Sequence, residues 1–428
     1  MALVAIVFAV LMLIGIPIAF VVGIISVWLL FDAGGSQFLL LVPQRVFAGL
    51  NVFTIMAIPF FFLAAELMTA SRAIEDIVKL ADALVGWLRG GLAHVNVIGS
   101  ALFSTMSGSA LADIATLGSI EITAMEKMGY DKRFATALTV ASSIIGAIIP
   151  PSIILMLYAS VAQVSVAAIF LAAIVPGLLL TALLMLVVVF LARKYDFPRR
   201  ETRISPREFV SITVNAALPL LMPVIILGGI MSGIFTATEA AAVAVAYVLI
   251  IGLFIKRTLK FSDIPGCLLR AGIMTSTVFM VLATANVFGW FIGLERIPEN
   301  IAKFLISLAS DPVILLLLII GVLLVVGMIM DSGAALIVMA PILAPVAVSG
   351  GIDPVHFGIV MALTLVVGLT TPPVGPCLFA AASVSRLKIE TICVAMLPFY
   401  AVQVVFLLIL ALVPEVSLAL PRWAGLIN

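Results

Sequence analysis

Long uninterrupted apolar runs constrain this chain more than any other feature. They occupy residues 2–31, 51–68, 166–192, 209–231, 236–255, 271–292 and 390–413, each near the roughly 20 residues that cross a bilayer as a helix. Lipid offers a peptide group no hydrogen-bond partner, so runs of this length form helices whose backbone bonds are internal. Hydrophobic residues make up 64% of the 428 and charged residues only 10%, far from the composition of soluble domains. The expected fold class is an all-α polytopic membrane protein. The first run has no basic residues ahead of it and no polar cleavage region, so it is read as a retained span bent at Pro17.

Net charge is +1, which excludes the basic field a nucleic-acid partner would need. Cys267, Cys377 and Cys393 lie far apart, as do His94 and His356, so neither a disulfide framework nor a transition-metal site is expected.

Four further stretches are apolar but interrupted by Gly, Pro or small polar residues: 92–128, 134–165, 312–350 and 355–385. They carry an internal repeat. Gly146, Pro150, Pro151 and Pro176 recur at one constant offset as Gly368, Pro372, Pro373 and Pro398. At the same offset Gly129 and Asp131 match Gly351 and Asp353, and Ser109 falls opposite Asp331. Charge orients the two copies. The 193–208 linker is rich in Arg and Lys, and Lys127, Lys132 and Arg133 flank the loop that ends the first interrupted stretch. In the second copy the corresponding loop, 349–354, has no basic residue, whereas Arg386 and Lys388 follow its later break. Basic residues mark cytoplasmic loops, so a bias that swaps sides predicts inverted topology.

This organisation predicts a first inverted repeat over 1–192, a basic linker and connecting span over 193–231, and a second repeat over 232–428. The amino terminus is expected in the cytoplasm and the carboxyl terminus outside, with nine crossings. Stretches 92–128 and 312–350 are then re-entrant hairpins, and 134–165 and 355–385 are broken helices that cross. Residues 72–90 and 294–311 are more charged and read as interfacial arm helices framing a moving core.

Proline lacks the N–H that would satisfy the carbonyl four residues back. Pro150 and Pro151 therefore free the carbonyls of Gly146 and Ala147, and Pro372 and Pro373 those of Gly368 and Leu369. Such oxygens survive in a membrane only in a lined cavity, and with nearby hydroxyls they are what a Na⁺ site is made from. A kinked helix with packing prolines accounts for one such pair; two at equivalent positions favour sites. The expected Na⁺ ligands are Ser107, Gly108 and Ser109 with Gly146, Ile149 and Pro150, and Gly327 and Asp331 with Gly368, Thr370, Thr371 and Pro372. Each pairing sets a hairpin tip against a break, giving at least two coupling ions. Ser107, Ser109, Ser332, Gly333 and Thr371 are the expected contacts of a substrate carboxylate between the tips. Asp331, an ionisable group at hairpin depth, has three readings: Na⁺ ligand, proton carrier or helix cap. Glu239 fits a capping box with Thr236, Asp113 supports the first tip, Glu66 pairs with Arg72, and both histidines are interfacial or hydrogen-bonded.

On Ser107 to Asp113, Ile149 to Ser152, Gly233 to Glu239, Gly327 to Asp331 and Thr371 to Gly375, the chain resembles the large membrane subunit of the tripartite ATP-independent periplasmic (TRAP) transporters. These belong to the wider ion-transporter superfamily. The likeness covers nearly the whole chain and departs at Ala237, where the family pattern usually has proline. The resemblance implies Na⁺-driven import of an organic acid, of the sialic acid or dicarboxylate class, by an elevator movement in a bacterial inner membrane. It also implies two partners, a small four-helix membrane subunit and a periplasmic substrate-binding protein. ATP is not expected as a cofactor, because no Gly-Lys dipeptide exists to build a Walker A loop. A self-sufficient Na⁺/dicarboxylate symporter or anion exchanger of the same superfamily is the alternative. An intramembrane enzyme is not expected, since no Ser-His or Asp-Asp pairing is present.

Overall fold

The computed structural model describes residues 2–198, 205–308 and 311–427, and every regular element among them is helical. Arg199, Arg200 and Arg203 of the basic linker lie outside the described residues. The first apolar run is two helices, α1 (Ala2–Leu13) and α2 (Ile18–Leu39), rather than one bent span. Gly15 adopts φ 87°, and Pro17 holds Ile16 out of helical geometry. A short α3 (Val42–Leu50), not foreseen from sequence, leads to α4 (Ala57–Ala70) and the amphipathic arm α5 (Ala73–Val85), which buries Ala73, Ile74, Ile77, Leu80 and Ala81 at helical spacing. The first hairpin follows. Its arms are α6 (Gly91–Ser107) and α7 (Ala110–Asp113), the latter running through a π turn at Ile114–Gly118 into α8 (Ser119–Lys127). The broken helix is α9 (Lys132–Gly146) and α10 (Ile153–Ala162), and α11 (Val166–Lys194) closes the half.

After α12 (Pro206–Met231) come α13 (Ala237–Ile250), α14 (Ile264–Leu294) and the second arm α15 (Ile297–Leu308). The second hairpin is α16 (Pro312–Ile329) and α17 (Ser332–Ser349). The second broken helix is α18 (Pro354–Gly368) and α19 (Pro376–Ser385), followed by α20 (Ile389–Leu412). The terminal α21 (Glu415–Trp423) was also not foreseen; its Ser417 Oγ lies 2.6 Å from His356 Nδ1. Helices α9 and α18 begin and end at the offset of the sequence repeat, as do the ends of α8 and α17. Asp131 and Asp353 cap α9 and α18 through bonds of 2.8 Å to the N–H groups of Arg133 and Val355. Pro150-Pro151 and Pro372-Pro373 are both cis.

Nine helices among the described residues are long and apolar enough to cross a membrane, but they are not the nine crossings expected from sequence. They include both arms of the second hairpin and neither broken helix. An 18-residue arm is about 27 Å long, close to the hydrocarbon thickness, so length alone does not separate a re-entrant arm from a span.

Helix ends from the two halves meet one another. Asp131, Arg133 and Phe134 of the first half meet Tyr195 to Pro198 and Glu390, Thr391 and Val394 of the second around an open cleft of about 800 Å³. Elsewhere Tyr158 of α10 donates to the Pro354 carbonyl at 2.7 Å. The loop after the first hairpin thus lies beside the start of α20, and the start of α18, after the second hairpin, beside α10. Two ion pairs tie the arm and α4 to the second half: Asp76 with Lys256, and Glu66 with Arg270 at 2.6 Å. Glu66 therefore does not use Arg72, which leaves α4 in a left-handed turn at φ 54° while α4 packs on α14.

Candidate functional site

At the first break α9 stops at Gly146 and α10 resumes at Ile153. Ser152 caps α10 by accepting the Leu155 N–H at 3.4 Å, and its hydroxyl donates to the Ala147 carbonyl at 2.5 Å. One of the two oxygens freed by the prolines thus has a protein partner. The first tip comes directly against this break. Gly108 adopts φ 59°, and a Cβ there would lie 3.2 Å from the Pro151 carbonyl oxygen and 3.3 Å from Ile153 N. Ser109 caps α7 through the Ala112 N–H, and a Cβ on Gly146 would stand 3.7 Å from both the Ser109 carbonyl and Asp113 Cβ. Ile149 packs its side chain on Gly177 of α11. The Ser107 backbone ends α6; its side chain lies outside the described set.

The second break is more tightly satisfied than proline arithmetic alone implied. The Gly368 carbonyl accepts the Thr371 N–H at 2.9 Å and the Leu369 carbonyl the Cys377 N–H at 3.0 Å. The expectation of free oxygens is corrected here: the chain coils back and supplies a donor to each. A carbonyl has two lone pairs, so each oxygen retains one for a cation. Thr371 directs its hydroxyl proton to the Val367 carbonyl at 2.9 Å, which turns its lone pairs away from the helix. Thr370 is fully buried and faces α20, with its hydroxyl 2.8 Å from the Val367 carbonyl and 3.3 Å from Gln403 Oε1. Its carbonyl accepts Tyr400 at 2.7 Å. Thr370 is thus built into the wall behind the break, unlike Thr371.

The second tip locks onto this break backbone to backbone. The Gly375 N–H donates to the Met328 carbonyl at 2.9 Å. A Cβ on Gly368 would fall 2.7 Å from the Gly327 Cα and carbonyl carbon, and one on Gly327 2.7 Å from the Leu365 carbonyl oxygen. Neither backbone can give way. Gly368→Ala is expected to destabilise the protein by about 1–3 kcal/mol, read as a lowered Tm of the detergent-solubilised protein; an unchanged Tm would disprove the close crossing. Asp331 caps α17, its Oδ2 accepting the N–H groups of Gly333 at 3.0 Å and Ala334 at 3.3 Å. The cap reading of Asp331 is thus realised, with Oδ1 outside these two bonds. Ser332 opens α17, and a Cβ on Gly333 would touch Leu157 of α10 at 3.5 Å. Helix α10 packs on α17 and α19 on the first hairpin's π turn, so the two tips are drawn together.

Residues 104–118, 142–160, 325–345 and 365–380 contain no Lys or Arg, and their only acids are Asp113 and Asp331. The donor set is hydroxyl, carbonyl and carboxylate oxygen, which suits a hard cation. An anion there would have only N–H groups and bound cations to meet it.

A hydrogen-bonded cluster of Asn96, Ser100, Glu121, Thr139 and Ser142 behind the first tip escaped sequence reading. The signal was available: Asn96 and Ser100 stand one turn apart in an apolar helix, opposite Thr139 and Ser142. The capping box of Thr236 and Glu239 is present, and His94 Nδ1 lies 3.2 Å from Met185 Sδ.

Comparison with known proteins agrees across the chain. The family profile described as "Tripartite ATP-independent periplasmic transporter, DctM component" matches residues 5–416. The C4-dicarboxylate TRAP transporter large permease protein DctM of Pseudomonas aeruginosa is 38% identical over 89% of each chain. The sialic acid TRAP transporter large permease protein SiaM of Vibrio cholerae is 38% identical over 95% of each. The isethionate TRAP transporter permease protein DctMQ of Oleidesulfovibrio alaskensis is 37% identical over 96% of this chain, which spans 65% of that protein. Among solved structures, the Alcanivorax borkumensis YdaH transporter shares the fold at a TM-score of 0.62 and 15% identity, over 90% of this chain and 89% of that one.

Proposed function

The chain belongs to the DctM component family of the tripartite ATP-independent periplasmic transporters, and on that footing we propose that it couples Na⁺ entry to import of an organic acid. It is a multi-pass protein of the bacterial inner membrane. The observation that carries the proposal is the paired arrangement of tip and break, repeated at a constant offset and free of basic side chains. One ion site per pairing would place Na⁺ among the Ser109 and Gly146 backbone in the first and Asp331, Thr371 and the Gly368 carbonyl in the second. The substrate carboxylate lies between the tips, held by bound cations and by N–H groups opening α7 and α17. Its class is that of the relatives' cargoes, a C4-dicarboxylate or sialic acid. A periplasmic binding protein delivers it, and a small membrane subunit completes the assembly.

The two halves, 1–192 and 232–428, are inverted repeats in this reading. On the resulting topology only Arg45, Arg296, Lys303 and Arg422 of the 22 Lys and Arg residues face outward, in keeping with positive-inside bias. Single cysteines at Ser385 and Arg200 should label from the cytoplasm and one at Gly350 from outside. Same-side labelling of Gly350 and Arg200 would disprove inversion.

The deciding experiment reconstitutes the chain with its small subunit in proteoliposomes and follows labelled organic acid. Uptake is expected only with an inward Na⁺ gradient and an added binding protein. Robust uptake by this chain alone would instead establish a self-sufficient symporter, and uptake unchanged without Na⁺ would end the coupling assignment.

A further inference from the structure

The first hairpin carries a buried polar ladder. Glu121 of α8 is 5% exposed; its Oε2 accepts Asn96 Nδ2 at 2.5 Å, while Oε1 has no partner. Asn96 Nδ2 also reaches Thr139 Oγ1 at 2.8 Å, and Asn96 Oδ1 accepts the Ser142 hydroxyl at 2.8 Å. Ser142 in turn lies 3.0 Å from the Ser100 hydroxyl, which stands beside Asp113. Both Asp113 oxygens are buried without a partner. At the repeat offset the positions of Asn96, Ser100, Asp113 and Glu121 become Leu318, Val322, Ala335 and Leu343. An equivalent hairpin therefore packs with apolar residues throughout, and the fold itself does not require the ladder.

Among the described residues no cation balances Glu121. On α9, Lys132 pairs with Glu126 at 3.2 Å and Arg133 lies 3.9 Å from Asp131. His94 on α6 is turned to Met185, Lys127 ends α8 in solvent, and α19 contributes only the buried Cys377. Asp113, the other acid behind the tip, supplies no positive charge. A buried carboxylate held by a single amide is strongly disfavoured as an anion, and a single positive charge at Oε1 removes most of that cost. An alkali ion would need several oxygens around it, yet Oε1 faces the backbone of Gly99, where a Cβ would sit at 2.8 Å. A proton needs no such shell.

We propose that Glu121 is a proton-binding site of this transporter, Oε1 carrying a proton while the first hairpin is packed on α9. The proton adds to one carboxylate oxygen, forming O–H and neutralising the group. It exchanges with water at the exposed end of α8, six residues and about 9 Å away. The site is separate from the sodium sites and does not depend on the sodium-coupled reading.

Infrared difference spectroscopy of the purified chain in nanodiscs tests it without any transport. A protonated-carboxyl carbonyl stretch is expected at neutral pH and lost on alkaline titration; its Glu121 component disappears in Glu121→Gln and is retained in Asp113→Asn. A spectrum that Glu121→Gln leaves unchanged, or one with no such band, overturns the site. If that variant fails to assemble, Asn96→Leu removes the donor to Oε2 and must carry the band to higher pH. An unmoved midpoint in Asn96→Leu equally overturns it.

Discussion

Cysteines replacing Gly289 and Pro341 are expected to abolish uptake when oxidised and to restore it when reduced. Gly289 belongs to α14 and Pro341 to α17, and a Cβ built on Gly289 stands 3.8 Å from the Pro341 Cβ. That separation is the usual one across a disulfide, so the bond should form without moving either helix. Both substitutions are tolerable locally: Gly289 has room for a Cβ, and cysteine at 341 returns an N–H to the interior of α17. In an elevator, α17 travels with the hairpin core while α14 stays in the frame, so the crosslink would join the two bodies at their sliding seam. A small polar cavity of about 180 Å³, lined by Ser160, Gln163 and Asn286 among others, lies along the same seam. Uptake should fall to that of empty proteoliposomes and recover fully with dithiothreitol, while the single cysteine variants transport normally. An oxidised double variant that still transports at the wild-type rate would mean that α14 and α17 move together. Cys393, half-buried, should be changed to serine in the parent so that labelling is unambiguous.

Asp331→Asn is expected to raise the Na⁺ concentration for half-maximal uptake by about tenfold for every 1.4 kcal/mol of ion binding lost. The Tm should stay near the parent value. The two effects separate because one carboxylate does two things. Its Oδ2 accepts the N–H groups of Gly333 and Ala334, work that an asparagine oxygen does equally well. The negative charge is what asparagine lacks, and there is no Lys or Arg in the surrounding segments to mask that loss. Asp331→Ala should additionally lose the cap, at a cost of about 1 kcal/mol. Equal Na⁺ dependence in the parent and Asp331→Asn would leave Asp331 a cap only. A change confined to pH response would make it a proton carrier.

Much of this protein is legible in its sequence, for reasons particular to membranes. Lipid forces each long apolar run to satisfy its own backbone, so α11, α12 and α20 begin and end within about three residues of the runs that encode them, while α4, α13 and α14 overlap theirs with one end shifted by five to seven residues. Proline cannot continue the backbone ladder, so both breaks lie where Pro150, Pro151, Pro372 and Pro373 put them. The constant offset of the repeat fixes which elements correspond, and the boundaries of α9 and α18 follow it to the residue. Short interfacial pieces such as α3 and α21 were not legible, because their few apolar residues resemble loop as much as helix until neighbours cover them.

Partner choice was the other thing that sequence left open. Glu66 bonds Arg270 rather than Arg72, because α4 lies against α14, a helix of the other half of the chain. The carbonyls of Gly368 and Leu369 find N–H donors in the coil that follows them, which only its path through space provides. Thr370 and Thr371 are neighbours in sequence, yet the first faces Gln403 inside the wall and the second is partly exposed at the break. Local backbone chemistry decides where a helix runs and where it must stop, and sequence records both. Which lone pair, carboxylate or hydroxyl is then left without a protein partner depends on packing between distant segments, and only the tertiary structure determines that.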